Sequence, residues 1–319
     1  MGRRRGTASA GRGCARRRRR RGARQIAVDG AQDRPDDLAG GSAEETRLVA
    51  IRVCIAGAGG RMGQTMLEAV IAAPDLTLAG ALEVPASPIL GRDAGERSGH
   101  PTGVVISADI AAAVAGVDVL VDFTRPEGTL EHLGACARAG VAAVVGTTGL
   151  AEADKRALAD FGNSIPIVFA PNMSVGVTVL LRLVDQAAKL LGAGYDVEIV
   201  EMHHRHKIDA PSGTALLLGD AAAKALGRDL RTDGVFGRDG VTGERKPGTI
   251  GFASVRGGDV VGDHSVIFAG AGERIELTHR AGSRLNFAQG ALRAVRFVSA
   301  KRAAGAKGLF DMEDVLGLR

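Results

Sequence analysis

Residues 48–74 read LVAIRVCIAGAGGRMGQTMLEAVIAAP, and this stretch decides the fold. An apolar run ends in GAGGRMG, after which apolar residues return at helical spacing until Pro74 stops them. Gly57, Gly59 and Gly63 supply G-x-G-x-x-G. The pattern is weak alone, but it follows a strand and opens a helix, the context that identifies a dinucleotide-binding turn. Gly57 permits the tight turn, Gly59 lets backbone approach a pyrophosphate, and Gly63 permits close helix–strand packing. The helix start then offers amides and a positive dipole end to the phosphates. The plain alternative is a glycine-rich turn with no ligand, and the strand–turn–helix context weighs against it.

Working outward, LTLAGALE (residues 76–83) predicts a second strand ending at Glu83. An acid there can accept hydrogen bonds from the ribose hydroxyls of NAD, although a solvated strand end would look the same. A short strand at GVVIS, a helix at IAAAVAG and a buried strand at VDVLVDF follow. Thr124 and Glu127 have capping-box spacing, with Pro126 in the first turn and Gly140 closing that helix. VAAVVGTTG, AEADKRALADFG and IPIVFAPN continue the alternation as strand, helix and strand. Alternating strands and helices predict a Rossmann-like α/β domain with a doubly wound parallel sheet. In such sheets ligands sit at the carboxyl ends of strands. GTTG (residues 146–149) and APNMS (residues 170–174) occupy those ends, and their small residues, hydroxyls and Asn amide suit a nicotinamide carboxamide. Each in isolation reads equally well as a plain loop.

From Val175 the texture changes. A long helix, a strand at YDVEIVEMHHRH, a helix at SGTALLLGDAAAKALG and Gly-punctuated segments to about residue 281 predict an α+β domain with a mostly antiparallel sheet. The end, NFAQGALRAVRFVSA then GLFDMEDVLGL, reads as helix returning to the first domain. The expected division is an Arg-rich extension over 1–48, a dinucleotide-binding domain over 49–174 completed by 285–319, and a substrate-binding and tetramerisation domain over 175–284.

The chain has 319 residues, enough for two cores. Aromatics are 3% with no Trp, so the body is not expected to bind nucleic acid by base stacking. No apolar run of about 18 or more residues predicts a membrane span. Cys14, Cys54 and Cys136 are scattered, odd in number and without metal spacing, which predicts a reducing, cytoplasmic setting. Residues 1–50 hold 13 of the 41 Lys/Arg and 6 of the 36 Asp/Glu, leaving 28 against 30 in the rest. The basic excess therefore belongs to the tail, whose composition predicts disorder. That tail reads as a nucleic-acid arm, a transit peptide or an over-extended translation start.

The densest chemistry lies in EMHHRHKIDAPSGT, residues 201–214. Ser212 reads as an N-cap, so the amides of Gly213 and Thr214 can bind a carboxylate. Lys207 and Arg205 add cationic charge, and a histidine there can exchange protons near neutral pH. The flanking Lys and Arg argue against a metal cluster, so no metal is expected. Adjacent His203 and His204 on a strand would face opposite ways, which leaves a surface turn as an alternative. Arg284, in AGSRLNF, could reach the same anion.

Taken together, VCIAGAGGRMGQ, VDFTRPEGTLEHL, VVGTTG, EMHHRHKIDAPSGTA, GERKPGTIGFASVRGGDVVGDHSVIF and GLFDMEDVL resemble the dihydrodipicolinate (4-hydroxy-tetrahydrodipicolinate) reductase family of lysine and diaminopimelate biosynthesis, in order, from about Val49 to Gly317. The resemblance implies NAD(P)H-dependent reduction of 4-hydroxy-tetrahydrodipicolinate to tetrahydrodipicolinate with loss of water, in a homotetramer built through the substrate-domain sheet. It implies His203 as proton donor and acceptor, Lys207 as proton donor, and His204, Gly213, Thr214 and Arg284 as substrate ligands. Cofactor contacts would come from Gly57, Ala58, Gly59, Gly60, Arg61 and Met62, from Glu83, from Gly146, Thr147 and Thr148, and from Ala170, Pro171, Asn172 and Met173. Where many members carry Arg after the ribose-binding acid, this chain has Val84, so NADH is expected to serve at least as well as NADPH. Aspartate-semialdehyde and homoserine dehydrogenases share the opening but lack the His-rich segment, and a non-catalytic NAD(P) sensor would not need both His203 and Lys207.

Overall fold

The computed structural model describes residues 50–319, so the expectations for the Arg-rich tail lie outside the described residues. The described strands are β1 (Ile51–Ala56), β2 (Leu76–Leu82), β3 (Ile106–Ser107), β4 (Val119–Asp122), β5 (Ala142–Val145), β6 (Pro166–Phe169), β7 (Asp196–His203), β8 (Gly234–Val235), β9 (Ile250–Arg256), β10 (Gly262–Ala269), β11 (Arg274–Ala281) and β12 (Gly308–Phe310). The helices are α1 (Arg61–Ile71), α2 (Ile110–Val114), α3 (Pro126–Ala139), α4 (Glu152–Gly162), α5 (Val175–Leu191), α6 (Gly213–Ala225), α7 (Leu230–Asp233), α8 (Leu285–Ala303) and α9 (Met312–Val315).

The first sheet has the order β12-β6-β5-β4-β1-β2-β3, and its pairings are all parallel. Its central strands are apolar on both sides because helices cover both faces. Val53, Ile55, Val119 and Val144 pack with Met66 and Val70 of α1 and Leu292, Val295 and Val298 of α8. Cys54, Leu120, Ala143 and Ile167 pack on the other face with Val114, Leu133, Cys136 and Leu158. Burial pushes both thiols up, Cys136 to about 12, so they behave as small core hydrophobes. Two local expectations change. GLF is a strand, β12, added to the sheet edge beside β6 before the chain turns into α9. The capping box at Thr124 does not form: Arg125 is the N-cap, and the Thr124 hydroxyl donates to the buried Asp122 carboxylate at 2.6 Å instead.

The second sheet has the order β11-β10-β7-β9-β8 and is mixed. The antiparallel part is β11-β10-β7, while β7–β9 and β9–β8 are parallel. The reason is topological: the chain leaves β7, passes through α6, and returns as a crossover, which forces parallel pairing. One face is covered by α5 and α6, burying Val197, Ile199, Phe252, Val266 and Phe268. Strand alternation carries Glu201 and His203 onto that covered face.

Candidate active site

Four segments that the sequence keeps apart meet at a cleft of about 690 Å³. Its walls include Arg61 from the glycine turn, His204 and Arg205 after β7, Asp259 between β9 and β10, and Arg284 before α8. Three guanidiniums against one carboxylate make it an anion site. Burial and the nearby Arg284 and Arg61 charges push the His204 imidazole below its ordinary value, and its Nδ1 is buried without a partner.

The glycine turn fits a dinucleotide at atomic detail. Gly57 has φ +72°, a conformation L side chains rarely adopt. A Cβ on Gly63 would lie 1.9 Å from the Gly57 carbonyl oxygen, so α1 can approach the turn only with glycine there. Gly60 caps α1 without a side-chain acceptor, which leaves first-turn amides without a capping partner. The Glu83 carboxylate accepts from Gly59 N–H at 2.7 Å and from Val84 N–H at 3.0 Å, so it is held in place at the turn. Ala58 is fully buried, while Gly60 and Arg61 are exposed.

The other two strand-end loops divide into structural and presentable atoms. The Phe123 ring packs directly on Gly146. Thr147 is buried, its hydroxyl sharing a hydrogen bond with Thr129 at 2.7 Å, whereas Thr148 is exposed. Met173 is 1% exposed, and both its side chain and its carbonyl pack against α8, the carbonyl at Gly290, so it holds the loop in place. Asn172 joins the two halves: its Nδ2 donates to Thr214 Oγ1 at 2.9 Å and its Oδ1 accepts from Ser174 N–H at 2.8 Å.

On the second sheet, the Ser212 hydroxyl accepts from Ala215 N–H at 3.1 Å and caps α6, leaving Gly213 exposed at the helix start. His203 ends β7 with its side chain 11% exposed, its Nδ1 2.6 Å from Glu201 Oε2. Lys207 lies 2.9 Å from Asp209 Oδ1. Neither His203 nor Lys207 is among the residues lining the cleft. Several neighbours went unread in the sequence: Arg256, whose Nη1 and Nη2 each donate to Glu201 at 2.7 Å, and His264, whose ring centroid is 5.0 Å from that of His203. His264 Nε2 meets the Ser212 hydroxyl at 2.8 Å. A second unread network surrounds Asp122, fully buried, which takes His132 Nδ1 at 2.7 Å and both the backbone and hydroxyl of Thr124. The period-2 spacing of Glu201 and His203 was a readable signal; the partners on other strands had none.

Residues 51–173 match the family model for the N-terminus of dihydrodipicolinate reductase, and residues 176–316 match that for its C-terminus. The chain belongs to the dihydrodipicolinate reductase family. Its relatives include the 4-hydroxy-tetrahydrodipicolinate reductase of Laribacter hongkongensis, 58% identical over 269 residues that span 84% of this chain and 99% of the relative. The enzyme of the same name from Cupriavidus taiwanensis is also 58% identical, over 84% of this chain and 100% of the relative. Among solved structures, a dipicolinate-bound dihydrodipicolinate reductase from Paenisporosarcina sp. TG-14 superposes with a TM-score of 0.64 and 26% identity, over 82% of this chain and 97% of that one. As a dihydrodipicolinate reductase family member, the chain is an NAD(P)H-using oxidoreductase of lysine and diaminopimelate biosynthesis. Among the described residues no helix is long and apolar enough to cross a membrane.

Proposed function

We propose that the chain reduces 4-hydroxy-tetrahydrodipicolinate to tetrahydrodipicolinate with loss of water, using residues 49–174 and 285–319 for the nicotinamide cofactor and residues 175–284 for the substrate. The observation that carries this reading is the cationic cleft, where Arg61 of the glycine turn, His204 and Arg284 converge. Arg284 and His204 in the cleft suit one carboxylate of a cyclic dicarboxylate, and the amides of Gly213 and Thr214 at the start of α6, outside the cleft lining, suit the other. The Asn172–Thr214 hydrogen bond supports a common site, because it ties the third cofactor loop to the substrate helix.

When bound, the reduced nicotinamide supplies the hydride. Hydride addition leaves one negative charge on the substrate, and one proton from the His203–Lys207 pair neutralises it, with Lys207 as a donor and His203 as donor and acceptor. To donate, Lys207 has to leave Asp209, its present partner at 2.9 Å.

NADH serves at least as well as NADPH. Glu83 presents a carboxylate to the ribose, and Val84, 63% exposed, offers no cation for a 2′-phosphate. Arg61 is the one cation of the glycine turn that could compensate. The enzyme works in the cytoplasm as a homotetramer, joined through the uncovered face of the second sheet, where Val200, Met202, Val255 and Ile267 lie between polar neighbours.

The test is steady-state oxidation of NADH and NADPH, with substrate made in situ by a synthase from pyruvate and aspartate semialdehyde. Substrate-dependent oxidation is expected, with kcat/KM for NADH equal to or above that for NADPH. Lys207→Ala and His203→Ala are expected to lose turnover while still binding cofactor. Cofactor binding without any turnover by the unmodified chain would refute the reading.

A further inference from the structure

His203 brings its ring beneath the surface at the end of β7, and a carboxylate two residues earlier on the same strand reaches it. Glu201 is 1% exposed, and a carboxylate so placed is costly unless charged partners surround it. Four donors do. His203 Nδ1 lies 2.6 Å from Oε2, Arg256 sends Nη1 to Oε2 and Nη2 to Oε1 at 2.7 Å each, and Ser212 N–H reaches Oε1 at 3.2 Å. These come from three elements: β7 itself, β9, and the turn that begins α6.

We propose that Glu201 is a positioning residue for this reaction, fixing the tautomer and direction of His203 and tying it to the anion-binding start of α6. The proposal rests on the reading of His203 as a proton donor. A carboxylate only accepts, so Nδ1 must carry the hydrogen, and Nε2 is left as the atom that exchanges a proton. Nε2 points at Gly262, where a Cβ would come within 2.9 Å of it, so glycine keeps that approach clear. The other carboxylate oxygen holds the amide of Ser212, the residue just before Gly213 and Thr214. One side chain therefore sets the separation between the proton donor and the carboxylate site. Burial alone would raise the Glu201 carboxyl, but hydrogen bonds from Arg256 and His203 outweigh it and bring it down to about 2. It stays charged at neutral pH and so goes on accepting from Nδ1.

Glu201→Gln separates this role from simple packing. With the amide oxygen in place of Oε1, Ser212 N–H and Arg256 Nη2 keep their acceptor, and the new NH2 faces His203 Nδ1 and one fixed donor, Arg256 Nη1. Nδ1 must then become the acceptor and the hydrogen moves to Nε2. The reverse placement opposes the new NH2 to two fixed donors, Ser212 N–H and Arg256 Nη2, so the switched tautomer is the better solution. The experiment is ¹⁵N NMR of histidine-labelled protein together with a kinetic cycle of Glu201→Gln, His203→Ala and the double variant. In the unmodified protein, neutral His203 is expected to carry its hydrogen on Nδ1; a hydrogen on Nε2 overturns the proposal, whatever the variants do. Glu201→Gln is expected to move it to Nε2 and lower kcat at least about 100-fold, with KM for the cofactor within about two-fold. Because Glu201 acts through His203, adding Glu201→Gln to His203→Ala is expected to cost nothing further. An inactive His203→Ala beside a fully active Glu201→Gln would sink the positioning role alone. A fully active His203→Ala would instead remove the reading of His203 on which it rests.

Discussion

Replacing Gly63 with alanine would set a Cβ 1.9 Å from the Gly57 carbonyl oxygen, 2.8 Å from its carbonyl carbon and 3.1 Å from Ala58 Cα. These are backbone atoms of a tight turn, so no side chain can swing aside. To reach the 3.0 Å below which real Cβ contacts essentially never occur, the start of α1 has to retreat from the turn by about 1 Å. Overpacking of this kind costs about 1–3 kcal/mol of stability. The same retreat carries the first-turn amides of α1 away from where a pyrophosphate would meet them. A charge-assisted hydrogen bond contributes about 1.5–3 kcal/mol, so losing one weakens NADH binding roughly 10- to 100-fold. Calorimetric titration of NADH into Gly63→Ala measures this directly. Gly305→Ala is the comparison: its φ of +67° strains an alanine, but nothing lies within 4 Å of the added carbon and the site is past the end of α8. It is expected to lose about 1–2 kcal/mol of stability and to bind NADH normally. Gly63→Ala binding NADH within two-fold of the unmodified protein would refute the argument, as would an equal loss in Gly305→Ala.

Two further outcomes follow from buried polar groups. Burial and the neighbouring His203 lower the His264 imidazole to about 4, so the folded protein holds it neutral while the unfolded chain titrates near 6.5. Its contribution is fully present above pH 6.5 and is lost as pH falls through about 4, amounting to about 2 kcal/mol between pH 7 and 5. Urea unfolding at the two pH values is expected to show that much less pH dependence in His264→Gln, and equal slopes would contradict it. Asp122→Ala removes the acceptor for His132 Nδ1 and for both Thr124 donors; Asp122 itself is fully buried and its partners are partly so. Leaving these donors unsatisfied is expected to cost about 1–3 kcal/mol in urea unfolding; a loss under about 0.5 kcal/mol would mean the network relaxes freely.

The first sheet was legible because its evidence is local. Each strand, its turn and the following helix are contiguous, and strands buried on both faces show as unbroken apolar runs from Val119 and from Ala142. Thr124 misled because its spacing to Glu127 is a local signal overruled by a tertiary one: Asp122 two residues earlier is buried and takes the hydroxyl. The second sheet was legible in its antiparallel part, where β10 and β11 are joined by a short turn and pair along their full length. Its parallel part was not, since β7 and β9 are separated by α6, α7 and a long loop, and nothing in either strand specifies the other.

The site divides along the same line. The glycine turn, Glu83 and the Ser212 cap were readable because each works through neighbours in sequence or through the backbone of its own element. What the cleft does with them depends on pairings across elements. His203 stands opposite Arg256 only through the β7–β9 register, and His264 stands opposite Glu201 only through β7–β10. Glu201 sits between the two kinds of information: its place two residues before His203 puts both on one strand face, so the carboxylate–imidazole pair is implied as soon as the segment is read as a strand. The charge that makes that pair tolerable inside the protein comes from Arg256, 55 residues further on. The histidine proposed as a proton donor and its carboxylate partner can thus be named from a motif, while the cation that keeps that carboxylate charged is found only when the sheet is assembled.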